Sequence, residues 1–414
     1  MSTQTPGDSA HRVASAASDT ERPSRIADAL QGAGLDAVVC ALPSHVLLLS
    51  GYWPVVGTAV AVATREGGLG LIVPEDEMAL ARQGRATELA SFAAGSLHDL
   101  RTAATAVQEP LGACLRRLGV STARLGFEGG EAVQGASYAA MHLYGAAMRD
   151  MLAQAAPQAS LIAADGMLAG LCAILTPRER AMVAMACEIA AAMFHQAPNR
   201  IRPGVTEPGV AAWLRPLLSY LAPGPARSDG FVYCMTGAHA AQAGAAYARS
   251  RADIVVAPAD TVLVHCNSYL DGFWTDITRT FSAGVPGRRL RAMYQAIFDA
   301  RDAALAVLRP GARAADADLA ARSVLEQCGF GSEFTHSTGH GVGFGAIDHN
   351  AIPRLHPRSG DVLEAGMVFN VEPAIYLEGV CGIRHCDVVA LETTGPRVLT
   401  PFQATLDDLI VCRE

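Results

Sequence analysis

Residues 261–282, TVLVHCNSYLDGFWTDITRTFS, restrict the fold more than any other stretch. The run 261–265 is short, apolar and β-branched, the pattern of a buried strand. A second strand is expected over 273–281, after a tight turn around Leu270, Asp271 and Gly272. A turn centred on Leu270 and Asp271 sets His265 opposite Asp276, 276 − 265 = 11 residues further on. Side chains opposed in this way share a sheet face, with Cβ atoms roughly 5 Å apart. An imidazole and a carboxylate at that reach, on rigid strands, are half of a metal site. The plainer reading is a polar pair on a solvated face.

The rest of the chain limits what such a hairpin can serve. Its 414 residues are enough for two or three domains with real cores. Half of them are hydrophobic and 17% charged, which is the composition of a globular protein. A net charge of −8 leaves no basic surplus for phosphates, so nucleic acid is not an expected partner. All 32 basic residues are arginine. Without a lysine the chain has no Schiff-base chemistry, no lysine-anchored pyridoxal phosphate and no P-loop. Ten cysteines are scattered without a CxxC pair. Residues 1–22 carry no apolar signal core and read as a disordered tail, so reduced thiols in the cytoplasm are expected. The apolar run around Leu47 is broken by Pro43, Ser44, His45 and Ser50, too short for a bilayer, and no membrane partner is expected.

In chain order, residues 25–30 begin a helix, and 35–42, 45–49, 58–64 and 67–73 read as strands. With a helix over 76–83 they imply a small α/β domain with a mixed or parallel sheet. Residues 91–164 are alanine-rich and mostly helical, with a strand near 125–127, and offer no cluster of acidic, histidine and cysteine side chains to defend as a site. Thr176, Pro177 and Glu179 form a helix start with a capping box. The helix they open buries Met182, Met185, Ala186, Ile189 and Met193 as core. Helices follow over 209–220, 288–308 and 317–328. Strands are expected over 230–236, 361–373 and 382–391, with Val398 and Leu399 closing the fold.

Ligand-type side chains then recur on separate segments: His265, Asp276, His340, Glu372 and the run Arg384-His385-Cys386-Asp387. The phrases TDITRTF, STGHGVGF, LEAGMVFNVEP and GIRHCDVV, together with LDAVVCALPSHVLLLSGY near the N-terminus, make the chain resemble the pita-bread metallopeptidases, the family of aminopeptidase P, prolidase and creatinase. The resemblance implies an α+β protein: a creatinase-like N-terminal α/β domain over 23–165, then a pita-bread catalytic domain over 175–414, with helices outside a curved antiparallel sheet. It also implies a homodimer and a small-molecule or short-peptide substrate.

The same resemblance implies two divalent metals held by two aspartates, one histidine and two glutamates. Asp276, His340 and Glu372 match three of those positions. His265 stands at the first aspartate and Cys386 at the bridging glutamate, with His385 and Asp387 turned to the opposite face by strand alternation. The family's substrate histidine falls near Gly244. Two carboxylates and a thiol in place of four carboxylates predict one divalent ion, with His265, Asp276, His340, Glu372 and Cys386 as its ligand candidates. Zinc or iron suits this set better than manganese or cobalt. Glu372 is also the candidate general base, and His336 and His349 are candidates for proton transfer. His239 and Arg384 are the expected substrate contacts. The implied activity is a metal-dependent hydrolysis of a peptide-like C–N bond in the manner of an Xaa-Pro peptidase. The alternatives are a metal-free C–N hydrolase resembling creatinase, an inactive binding module and, by analogy alone, a lyase.

Overall fold

A computed structural model of the chain describes residues 15–55, 59–93, 95–130, 145–244, 249–346, 348 and 350–413. The N-terminal part is built on a six-stranded sheet in the order β4-β3-β2-β1-β7-β8. Its elements in chain order are α1 (Glu21–Gly32), β1 (Ala37–Cys40), α2 (Pro43–Ser50), β2 (Val60–Thr64), β3 (Leu69–Pro74), α3 (Met78–Ala81) and β4 (Glu88–Phe92). They continue with a small ribbon of β5 (Gly95–Ser96) and β6 (Asp99–Leu100), then α4 (Ala103–Arg117), β7 (Arg124–Phe127), α5 (Gly145–Ala155), β8 (Ser160–Ala163) and α6 (Asp165–Ala173). Strand β1 runs parallel to β7 and antiparallel to β2.

Alternate residues of β1 enter two different cores, which is why the strand is a continuous apolar run. Val38 and Cys40 join Ile26, Leu30 and Leu48 on one face, while Ala37 and Val39 join Leu111, Leu115 and Leu152 on the other. Residues 45–49, expected as a strand, lie in helix α2. The run VLLL is buried all round, so it carries no period to separate helix from strand. Pro43 in the first turn sets the helical φ. Chain order begins before the expected tail ends: α1 starts at Glu21, and Arg22 is fully buried.

The second part starts at α7 (Pro177–Gln196), whose capping box of Thr176 and Glu179 forms as expected. It continues with α8 (Glu207–Tyr220), β9 (Ser228–Thr236), β10 (Thr261–Leu270), β11 (Phe273–Trp274), β12 (Ile277–Ala283), α9 (Arg288–Val307) and α10 (Ala314–Gln327). The C-terminal segment supplies β13 (Val368–Val371), β14 (Ala374–Leu377), β15 (Cys381–Arg384), β16 (Asp387–Glu392), β17 (Gly395–Val398), α11 (Leu406–Leu409) and β18 (Ile410–Val411). Strand β10 pairs with β9, β11 and β12, and β18 is added beside β12, so the fold closes later than Val398. Strand β13 pairs with β16, and β14 with β15. An isolated bridge between Thr278 and Cys386 joins the two groups of strands.

One buried ion pair ties the parts together. The Arg22 guanidinium of α1 donates to Glu179 of α7, with Nε 2.9 Å from Oε1, and to the carbonyls of Leu171 and Ile174. Trp53 lies over the β10–β11 turn, where its carbonyl accepts from Arg227 and its ring meets Tyr269 at 4.8 Å. Among the described residues no helix is long and apolar enough to cross a membrane.

Candidate metal centre

The hairpin that carries the site has its turn one residue later than expected. Leu270 pairs with Phe273, so the two turn residues are Asp271 and Gly272, at φ 47° and 85°. Positive φ at both positions is the two-residue turn whose twist matches paired strands, and an Asp-Gly pair supplies it. His265 therefore faces Thr278, not Asp276. Asp276 lies diagonally across, still on the same face, because residues two apart on a strand share a face.

Three further segments converge on that face. Gly339 lets the loop before His340 press against β13: a Cβ there would sit 1.9 Å from the Asn370 carbonyl oxygen. Asn370 then holds His340, accepting its backbone N–H at 2.6 Å and placing Nδ2 3.2 Å from Nε2. His340 Nδ1 donates to the Gly341 carbonyl at 3.1 Å. With Nδ1 donating, Nε2 is the unprotonated nitrogen; it accepts from Asn370 Nδ2 and would give up that hydrogen bond to ligate an ion. Nε2 is 3.6 Å from Asp276 Oδ2 and 3.9 Å from Glu372 Oε1. The Thr278–Cys386 bridge brings Cys386 alongside, with Sγ 3.7 Å from Asp276 Oδ1 and donating to the Asp276 carbonyl at 3.1 Å. Asp276, Glu372 and Cys386 offer ligand atoms that all lie within 4.8 Å of one another.

A tetrahedral ion with bonds of about 2.0–2.3 Å has ligand–ligand edges of roughly 3.3–3.8 Å. Asp276, Glu372 and Cys386 make the compact group, and His340 stands at 3.6 and 3.9 Å from the two carboxylates, on the Asp276 oxygen opposite the one nearest Cys386. Burial and the neighbouring Asp276 push the Glu372 carboxyl up to about 7, and burial pushes the Cys386 thiol well above its usual range. Without a cation, then, this cluster holds protons that a divalent ion would displace.

His265 is committed elsewhere. Its Nε2 meets Asn267 Oδ1 at 2.8 Å, and its Nδ1 lies 2.9 Å from Thr278 Oγ1 and 2.8 Å from an Arg384 Nη. Burial, with Arg384 beside it, pushes the imidazole down to about 4 despite the pull of Asp276. It is a neutral acceptor for a guanidinium, 3.8 Å from Asp276 Oδ1. Arg384, expected as a substrate contact, directs its N–H groups at Thr278, the Ala243 carbonyl, Tyr376, Tyr233 and His265. A guanidinium has five N–H donors, and these five acceptors use them all. His239 lies in another cluster, with Nδ1 2.8 Å from Glu207 Oε1. His336 donates from Nδ1 to the Ser337 carbonyl at 2.7 Å and accepts at Nε2 from the Tyr376 hydroxyl at 3.0 Å. His349 lies outside the described residues. His385 and Asp387 face away from Cys386, with Asp387 bound to Arg279, Arg301 and Thr400.

Tyr376, Tyr233, Asn370 and Asn267 were not legible as site residues. For Asn370 and Tyr376 a signal existed, since they lie two residues before and four residues after Glu372, on β13 and β14. Tyr376 also fills the space at Gly244: a Cβ there would lie 2.7 Å from its ring.

A family model described as Metallopeptidase family M24 matches residues 181–393, and one described as Creatinase/Prolidase N-terminal domain matches residues 22–171. The chain belongs to metallopeptidase family M24. Members of M24 are hydrolases of C–N peptide bonds and use divalent metals. The chain is 36% identical over 148 residues to "Uncharacterized peptidase YqhT" of Bacillus subtilis, a match that covers 36% of this chain and 41% of that protein. It is 31% identical over 246 residues to an "Xaa-Pro dipeptidase" of Pyrococcus furiosus, covering 58% of this chain and 67% of the relative. The match to the first of these spans about two-fifths of the relative's length. The M24 fold extends over nearly the whole chain: the structure of an "Xaa-Pro dipeptidase from Bacillus anthracis" superposes with a TM-score of 0.77 at 24% identity, covering 94% of this chain and 99% of that one.

Proposed function

We propose that the chain is a metal-dependent hydrolase that cleaves a C–N bond in a short peptide or peptide-like substrate, at a site holding a single divalent ion. The observation that carries this is the group of Asp276, Glu372 and Cys386, whose ligand atoms lie within 4.8 Å of one another, with His340 Nε2 3.6 and 3.9 Å from the two carboxylates. Relatives named as Xaa-Pro dipeptidases support the substrate class. When bound, the ion supplies Lewis acidity for the scissile carbonyl and acidifies an attacking water.

The protein's own groups do the rest. Glu372, at the edge of the cluster, is the carboxylate placed to take a proton from the attacking water. The Tyr376–His336 pair places a hydroxyl and an imidazole beside the cluster, to hold the carbonyl and return a proton to the leaving nitrogen. Arg384 acts as a positioning residue, holding His265, Tyr233 and Tyr376 in one network. Soft donors at 340 and 386 favour zinc or iron.

The test is a panel of proline-containing dipeptides assayed with the purified chain, before and after chelation and with Zn2+, Fe2+, Mn2+ or Co2+ restored. Hydrolysis that is lost with the ion and regained with Zn2+ or Fe2+ is expected. Undiminished turnover in a strong chelator would favour the metal-free reading, and no turnover with any ion would favour a binding module.

A further inference from the structure

A second group of metal-binding side chains lies in the N-terminal sheet. Strands β1, β7 and β8 run parallel, and Cys40 ends β1 while Glu128 directly follows β7. Ligands in open α/β sheets bind in the crevice outside the carboxyl ends of parallel strands, and both residues are at that end. His45 comes from the first turn of α2, which begins at Pro43. Cys40, His45 and Glu128 offer a sulfur, a nitrogen and an oxygen that all lie within 4.8 Å of one another. Cys40 is fully buried, Glu128 is 1% exposed, and the His45 side chain is 15% exposed.

Each donor is already oriented by the fold. Glu128 accepts the backbone N–H groups of Ala41 and Leu42 at 2.9 and 3.0 Å, which fixes its carboxylate at the start of α2. Its Oε1 also meets His45 Nδ1 at 2.7 Å. An ion taken up by His45 and Glu128 together would displace the proton shared between Nδ1 and Oε1. Cys172, on α6, is a further thiol within electrostatic reach of both His45 and Cys40. Satisfying the two N–H groups before α2 needs the carboxylate alone. It does not need an imidazole and two thiols as well.

We propose that Cys40, His45 and Glu128, with Cys172 as the nearest fourth donor, form a second metal site for a thiophilic divalent ion of the zinc class. The donor set is soft and buried, the kind that holds an ion as a structural tie. Here the tie joins the sheet end to α2 and α6. Binding forms a sulfur–metal bond at Cys40 and releases the thiol proton to solvent, so affinity rises with pH. The proposal does not rest on the peptidase reading.

The experiment uses the full chain carrying Asp276→Asn and Cys386→Ser, which takes a carboxylate and the thiol out of the M24 cluster. After chelation it is titrated with Co2+ and then Zn2+, with ions counted by mass spectrometry and the near-ultraviolet thiolate-to-cobalt band recorded. One ion per chain with that band is expected. Cys40→Ser in the same background should weaken Co2+ binding at least about tenfold and remove or halve the band. His45→Gln should weaken binding comparably, with folding checked by circular dichroism. Absence of a bound ion, an ion without the thiolate band, or binding indifferent to both substitutions would overturn the site. So would a disulfide between Cys40 and Cys172, shown by the loss of two titratable thiols, since that would make the pair redox partners.

Discussion

At the scale of single residues, the proposed site departs at two positions, 265 and 386, from the ligand set that the family resemblance implies. A neutral imidazole at 265 accepts from Arg384 but has both nitrogens engaged. A thiol at 386 can serve one ion but cannot bridge two through separate oxygens. Asp276, His340, Glu372 and Cys386 were legible in the sequence because each sits in a recognisable phrase. The saturation of Arg384 was not, since its acceptors come from Tyr233, Ala243, His265, Thr278 and Tyr376, brought together only by the folded sheets. Two outcomes follow at this scale. Asn370→Ala removes the acceptor that holds the His340 backbone N–H and should weaken the ion's affinity by roughly 10-fold, measured by competition with a chromogenic chelator. Tyr376→Phe should lower kcat/KM on a proline dipeptide by roughly 100-fold while the ion content stays unchanged. An unaltered kcat/KM would remove Tyr376 and His336 from the chemistry.

At the scale of elements, the hairpin shows how one turn residue sets a register. Placing the turn at Asp271-Gly272 keeps His265, Asn267, Asp276 and Thr278 on one face, although the opposed pairs differ from those a turn at Leu270-Asp271 would give. Periodicity located the strands but could not fix the pairing, because the turn is decided by which residues accept positive φ. Gly272 also faces Trp53, whose ring a Cβ would meet at 2.6 Å. Gly272→Ala should therefore cost about 2 kcal/mol or more in denaturant unfolding, from the strained φ and the clash together. The capped helix α7 was legible to the residue, since Thr176, Pro177 and Glu179 carry its start locally. Helix α2 was not, because an all-buried apolar run fits either kind of element.

At the scale of the whole molecule, the two-part architecture was legible from the alternation of strands and helices followed by the motif-bearing C-terminal half. The way the parts are joined was not, since Arg22 and Glu179 are 179 − 22 = 157 residues apart. Breaking a buried ion pair leaves a charge uncompensated, so Arg22→Met should destabilise the chain by about 3–5 kcal/mol. Arg22→Met combined with Glu179→Gln should recover part of that loss in a double-mutant cycle. The central claim is that the two-ion cage of the family has become a one-ion site here. Its most direct test is an anomalous-scattering map from crystals grown with Zn2+. One peak among Asp276, His340, Glu372 and Cys386, touching the Cys386 sulfur, is the predicted result. Two peaks in that cluster, or none, would contradict it.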